Sequence, residues 1–368
     1  MASKLTADVP PVAAELQPSR SSASRAPVVF ARLLIGLIVM ICAELFSGAS
    51  LKLGFWHPVT LILTFWLYFG HFFFLTTLAV RTGRTSLGAL YLWGVLFGLY
   101  ESWITKVIWH GYGEDGKLVM GSIGPYGFSE ISMVFIFHPV MSFILPLAVT
   151  CLLCPPLRRL FPDLAWLTGK GKLARVVQGY LVLSFVPIIA MNSRGPVNLA
   201  LNAALVLVVM VILLRLARPA LSAPDGRPIV VFGRRGFNGL SVYLAILYGL
   251  TYPQLRPEGL PSIAVQAVTF VFYAVVILGL CLYRRRDPLA SPTVSVEARE
   301  LQLVMTIFGL ILVPGLVLSV FAGQPILFLP ILPNFAVWTV LGFVLTAICL
   351  MASVQERFVV SGDAHRRA

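Results

Sequence analysis

Windows of 18 or more residues with almost no charge recur along the whole chain, for example at 196–216, 262–283 and 301–321. Lipid offers no partner to an unpaired backbone group, so such a segment crosses ~30 Å of hydrocarbon as a helix of about 20 residues. The composition agrees. Of the 368 residues, 58% are hydrophobic and 12% charged, against about 25% charged in an ordinary soluble domain; mean hydropathy is +0.89. The expected fold class is an all-α polytopic membrane protein with about ten transmembrane helices.

The spans are expected near 28–48, 56–80, 86–109, 129–154, 173–192, 196–216, 237–254, 262–283, 301–321 and 333–354. Asn238, Gly239 and Gly249 make the seventh the least apolar. Residues 1–27, rich in Ala, Ser and Pro, read as a disordered cytoplasmic tail, 28–354 as the membrane domain and 355–368 as a second cytoplasmic tail. The eleven uncharged residues between Arg32 and Glu44 have the length of a signal-peptide core, and Ser47-Gly48-Ala49 would suit a peptidase. The long leader and the crowding Glu44 favour a first helix that is retained.

A formal charge of +13 on a soluble chain would suggest nucleic acid. Here the basic residues fall in short loops, which is how membrane orientation is specified. All 28 lie on one side of the ten-span arrangement except Lys52, Lys106, Lys117, Arg194 and Arg256. Both termini are therefore expected in the cytoplasm, the membrane being the plasma membrane. No zinc-finger spacing, phosphate loop or dinucleotide fingerprint is present, and nucleic acid is set aside as a partner. No cysteine falls in an external loop, so no disulfide framework is expected. Cys151 and Cys154 have half a zinc-site spacing without a nearby histidine to complete it.

Charge inside the apolar spans is rare and concentrated. Glu101 in "YESWITK" and His138 in "FIFHP" lie about 12–13 Å below the outer boundary, while Glu44 and Lys106 are shallower by about 7 Å. An isolated charge at such depth costs several kcal/mol, so partners are required. The expected pairs are Glu101 with His138 and, above them, Glu44 with Lys106, although Lys106 can instead snorkel to the interface. Gly94 and Gly98 form a GxxxG pattern that would bring the Glu101 face against a neighbouring helix. Gly48 and Ser142 place small residues one turn from Glu44 and His138. His71 reads as a packed core histidine. On the outer side, the glycine-rich loop 110–128 could cover a pocket or simply be flexible, and Arg194 sits in a cluster with Asn192, Asn198 and Asn202.

The six residues ESWITK faintly resemble the Glu-Glu-x-x-x-Arg stretch of the CAAX-processing intramembrane proteases. Ser102 stands where the second glutamate would be and Lys106 where the arginine would be. No role is carried over from that family.

Three functions fit these residues. In a membrane-embedded enzyme acting on a lipid or membrane-bound substrate, Glu101 would be the base and His138 its proton partner. Glu44, Glu101 and His138 are also candidate ligands for a divalent metal, an open cofactor question. In a proton- or ion-coupled transporter the same pair would be the relay. In a non-catalytic assembly subunit it would fix helix register. Below His138, Tyr68 and His71 and then Arg81 and Arg84 make a sparse polar trail, so a pocket open to the outside, taking a lipid or small-molecule ligand, is expected over a conduit.

Overall fold

A computed structural model of the chain describes residues 25–52, 54–112, 116–287 and 295–367, except for the side chains of Lys52, Glu101 and 359–367. Residues 1–24 of the expected N-terminal tail, and 288–294 of the linker before the ninth span, lie outside the described residues.

Ten long helices follow the ten apolar segments. They are α1 (Arg25–Leu45), α2 (Val59–Thr82), α3 (Leu87–Ile104), α4 (Met133–Leu153) and α5 (Lys172–Asn192), α6 (Pro196–Leu221), α7 (Arg234–Gln254), α8 (Ile263–Leu282), α9 (Ala298–Leu318) and α10 (Phe328–Arg367). Among the described residues, all but α7 are long and apolar enough to cross a membrane by composition.

The contacts of α7 show that it runs the length of its neighbours all the same. Near its first turn, Arg81 at the end of α2 sits 4.6 Å over the Phe237 ring. Midway, His71 reaches Tyr248, and at the far end Lys106 reaches Thr251 and Tyr252. Hydrogen bonds and ring contacts to α2 and α3 make up for its thin apolarity. The start of α1 and the far part of α10 share one side of the bundle. Arg32 donates to the carbonyls of Pro228 (2.6 Å) and Ile229 (3.3 Å), while Glu356 accepts the Arg284 amide at 3.0 Å. That side also holds Arg81, Arg84, Arg158 and Arg286, and is called the basic end below.

Helix ends follow local chemistry. Gly83, at φ 67°, ends α2 in the left-handed conformation that glycine adopts without strain. Asp163 accepts the Leu87 amide at the start of α3 and pairs with Arg286 at 2.9 Å. Glu297 and Glu300 form a capping box at the start of α9. Two of the boundaries that differ from the sequence expectation have a visible cause. The third span stops at Ile104, not near 109, because Lys106 takes a left-handed turn (φ 55°) before a short helix at Val107–His110. The last helix continues through the expected tail to Arg367, since Pro333 is the last proline in it.

The bundle is concentric. The apolar windows of α3 and α4 are 76% and 78% buried, against 17% for α6 and 22% for each of α8, α9 and α10. Glu44, His71, Glu101 and His138 lie on α1 to α4, so this polar chemistry sits in the protected inner group, with Lys106 just past the end of α3. The tightest junction is α3 on α4. A Cβ placed on Gly94 would come 2.5 Å from Pro139 Cα, and one on Gly98 would come 2.7 Å from the Val134 carbonyl oxygen. The GxxxG face thus packs backbone to backbone on α4, as expected.

Candidate functional site

Three stretches of the inner helices are π-helical: Ile41–Leu45, Val59–Thr64 and the 12 residues Met133–Ile144. Pro139 lies inside the last and has no N–H to give its ladder, which favours a widened turn. π turns place side chains off the α-helical spacing and recur at functional sites. Glu44 and His138 each sit on one of these stretches.

His138 is 1% exposed. Its Nδ1 lies 2.7 Å from the Ser142 hydroxyl, one turn along α4. Aromatic rings wall the imidazole: Phe97 stacks on it at 5.8 Å and 17°, with Tyr100 at 5.2 Å and Tyr68 at 6.2 Å between centroids. His71 joins the same group. Its ring stacks on Tyr100 at 4.5 Å, its Nδ1 is 2.8 Å from the Leu67 carbonyl and its Nε2 is 3.1 Å from the Tyr248 hydroxyl. A carbonyl can only accept, so Nδ1 carries the proton, and in the neutral ring Nε2 accepts from Tyr248. His71 is thus more than a packed histidine: it connects α2 to α7.

Glu101 is the fourth residue from the end of α3 and follows Tyr100 directly; its side chain lies outside the described residues, and with it the expected pairing to His138. Glu44 is buried and accepts the Ser50 hydroxyl at 2.7 Å. The expected contact between Glu44 and Lys106 is replaced by another. Lys106, fully buried, donates to the carbonyls of Thr251 (3.2 Å), Tyr252 (2.7 Å) and Leu255 at the end of α7. An ammonium there fills orphan carbonyls and meets the negative end of the helix dipole, so it prefers this seat to a carboxylate on another helix. Lys106 lies beyond the end of the third span; burial lowers its pKa, with Glu258 opposing and Arg256 reinforcing the shift.

Arg194 is exposed at a left-handed position (φ 56°). Its three asparagine neighbours have another task. Asn192 donates to the Ser47 carbonyl and Asn198 to the Leu51 carbonyl, both at 2.8 Å, and Asn202 accepts the Phe55 amide at 2.7 Å. They tie the α1–α2 loop to the α5–α6 turn. Within the loop 110–128, a hairpin forms from β1 (Ser122–Ile123) and β2 (Tyr126–Gly127).

One buried carboxylate escaped the sequence reading. Glu130, 0% exposed, accepts the Val119 amide (3.0 Å) and the Ser129 hydroxyl (2.8 Å), fastening that hairpin to the head of α4. Its signal was a glutamate in the first turn of a span, the place for a helix-terminal anion. Among the described residues, no three His, Cys, Asp or Glu side chains gather as a metal site.

A cavity of about 460 Å³ opens in the half nearer the basic end, between α2, α3, α7 and α8. His71 and Tyr248 line it on one side and Arg84 lines it toward the basic end.

A buried, mostly apolar ten-helix bundle with this inner polar group defines a multi-pass integral membrane protein. The chain belongs to a family described as an uncharacterized membrane protein family, whose model matches residues 33–361. It is similar to an uncharacterized protein of Archaeoglobus fulgidus, 36% identical over 118 residues. That similarity covers 32% of this chain and 36% of the relative, so the chain spans about a third of the relative's length. No solved structure matches it.

Proposed function

We propose that the protein is a membrane-embedded enzyme acting on a lipid or another membrane-bound substrate, with His138 as the proton-transfer group and Glu101 as its partner base. What supports this reading is the setting of His138. A titratable imidazole is buried in the inner helices, its Nδ1 oriented by Ser142, on a π-helical stretch and within aromatic walls. Ionisable groups inside a membrane are costly and mark function by default, and an oriented imidazole in a dry site is suited to general acid–base work. The same reading places the protein in the plasma membrane with its basic end in the cytoplasm, on the asymmetry of loop charge.

The test is lipid turnover in nanodiscs carrying a total lipid extract of the host, followed by mass spectrometry. Wild type should change the abundance of at least one lipid or lipid-linked species, and a folded His138→Gln variant should not. An unchanged extract with wild-type protein would overturn the enzyme reading. Metal content is measured on the same samples, beside Glu101→Ala and His138→Ala.

A second reading, a proton-coupled transporter, is favoured by one observation. Tyr100 contacts both histidines, and His71 bonds Tyr248 at the head of the cavity, so polar groups continue from the outer half toward the basic end. Proton flux into proteoliposomes under an imposed potential, abolished by His71→Phe, would select it. Absence of both turnover and flux would leave the non-catalytic assembly role.

A further inference from the structure

The cavity near the basic end meets the His138 group only through His71, and its walls say what could fill it. Leu75, Leu78, Leu96, Leu244, Ala245 and Ile277 line it, on four different helices. Ile277 is 49% exposed on the outer surface of the bundle, as is its neighbour Leu278 at 60%. The wall is therefore continuous with the surface that faces lipid, and a water-soluble ligand has no reason to enter from that side. Its volume lies within the range of about 300–1,000 Å³ usual for ligand pockets.

The lining toward the basic end has the opposite character. Arg84 lies there, with Nη2 donating to the Cys281 carbonyl at 2.9 Å and Nη1 to the Thr82 carbonyl at 3.4 Å. Its Nε is buried, and no hydrogen bond to a described residue satisfies it. A buried, unsatisfied guanidinium donor at the edge of an apolar slot needs an acceptor that comes with an apolar body. Basic residues flank it, with the Glu356 carboxylate at the Arg284 amide. The Gly83 carbonyl accepts the Arg286 amide at 2.8 Å, which brings the exposed Arg284 and Arg285 beside Arg84. Arg286 is already paired with Asp163.

We propose that this cavity seats one acyl chain of an anionic phospholipid from the leaflet at the basic end, with the headgroup phosphate accepting from Arg84 and facing Arg284 and Arg285. Guanidinium groups bind phosphate through charge-assisted hydrogen bonds, and clustered arginines just outside a membrane span attract anionic headgroups. The chain fills the slot, and the phosphate completes Arg84.

The experiment is native mass spectrometry of delipidated, detergent-purified protein titrated with phosphatidylglycerol or phosphatidylcholine. Wild type should retain phosphatidylglycerol at least about tenfold more tightly, because its phosphate charge is not offset by a choline ammonium where the headgroup faces Arg84, Arg284 and Arg285. Arg84→Gln should remove that preference and Arg84→Lys should keep part of it. Ala245→Trp, at an exposed position on the cavity wall, should abolish retention of both lipids without touching the arginines. His138→Gln should bind as wild type does, so failure here and failure of the enzyme reading are told apart. Equal retention of the two lipids, or full binding by Ala245→Trp, would overturn the proposal.

Discussion

The ring of Tyr100 lies on that of His71, with centroids 4.5 Å apart and planes inclined by 27°. Its other side meets His138 at 5.2 Å, so one aromatic residue of α3 holds histidines of α2 and α4. Tyr100→Ala should cost about 3–5 kcal/mol, and Tyr100→Phe, which keeps the ring, no more than about 1.5 kcal/mol. Thermal unfolding in detergent ranks them; equal losses would mean that the stack contributes little.

Two glycine substitutions should move stability in opposite directions. Gly98→Ala forces a Cβ against the Val134 backbone and should destabilise by about 1–3 kcal/mol. A Cβ on Gly239 of α7 meets nothing within 4 Å, so Gly239→Ala should be neutral or stabilise by up to about 1 kcal/mol through helix propensity. The same unfolding assay checks both.

Lys106→Met keeps most of the side-chain volume and removes the ammonium. The carbonyls of Thr251, Tyr252 and Leu255 then lose a charged donor. A loss of about 3 kcal/mol is expected. Hydrogen exchange should rise first in the last turn of α7, not in α3.

Asn202→Ala should free the Phe55 amide while leaving the transmembrane core intact. Loss of roughly one hydrogen bond predicts exchange at Phe55 faster by about tenfold, with little change at α4. Exchange that rises evenly through the bundle would show that the asparagine acts on global stability instead.

The helices were legible in the sequence because hydrocarbon admits so few backbone solutions, and Gly94 and Gly98 announced their contact by spacing alone. Even α7, thin in apolar residues, was readable from the loop charges on either side of it. The partner of Lys106 was not. A lysine near a span end looks the same whether it snorkels, pairs with a carboxylate or caps another helix, and main-chain carbonyls leave no mark in a sequence. The cavity was hidden for a similar reason: its lining comes mostly from ordinary apolar residues on four helices, and the packing alone distinguishes them. Glu130 was open to view at the head of the fourth span, but its partner, the Val119 amide, left no mark in the sequence.

The weakly apolar α7 also bears on how the chain is assembled. Left alone in a bilayer, a helix carrying Asn238, Gly239 and Gly249 partitions poorly. The groups that hold it, Arg81, His71 and Lys106, all precede it in the chain. During synthesis they emerge first, so α7 meets a docking surface already in place and need not insert on its own hydrophobicity. Moving α7 ahead of α2 and α3 by circular permutation would take that surface away at the moment of insertion, although every contact in the finished bundle would be the same.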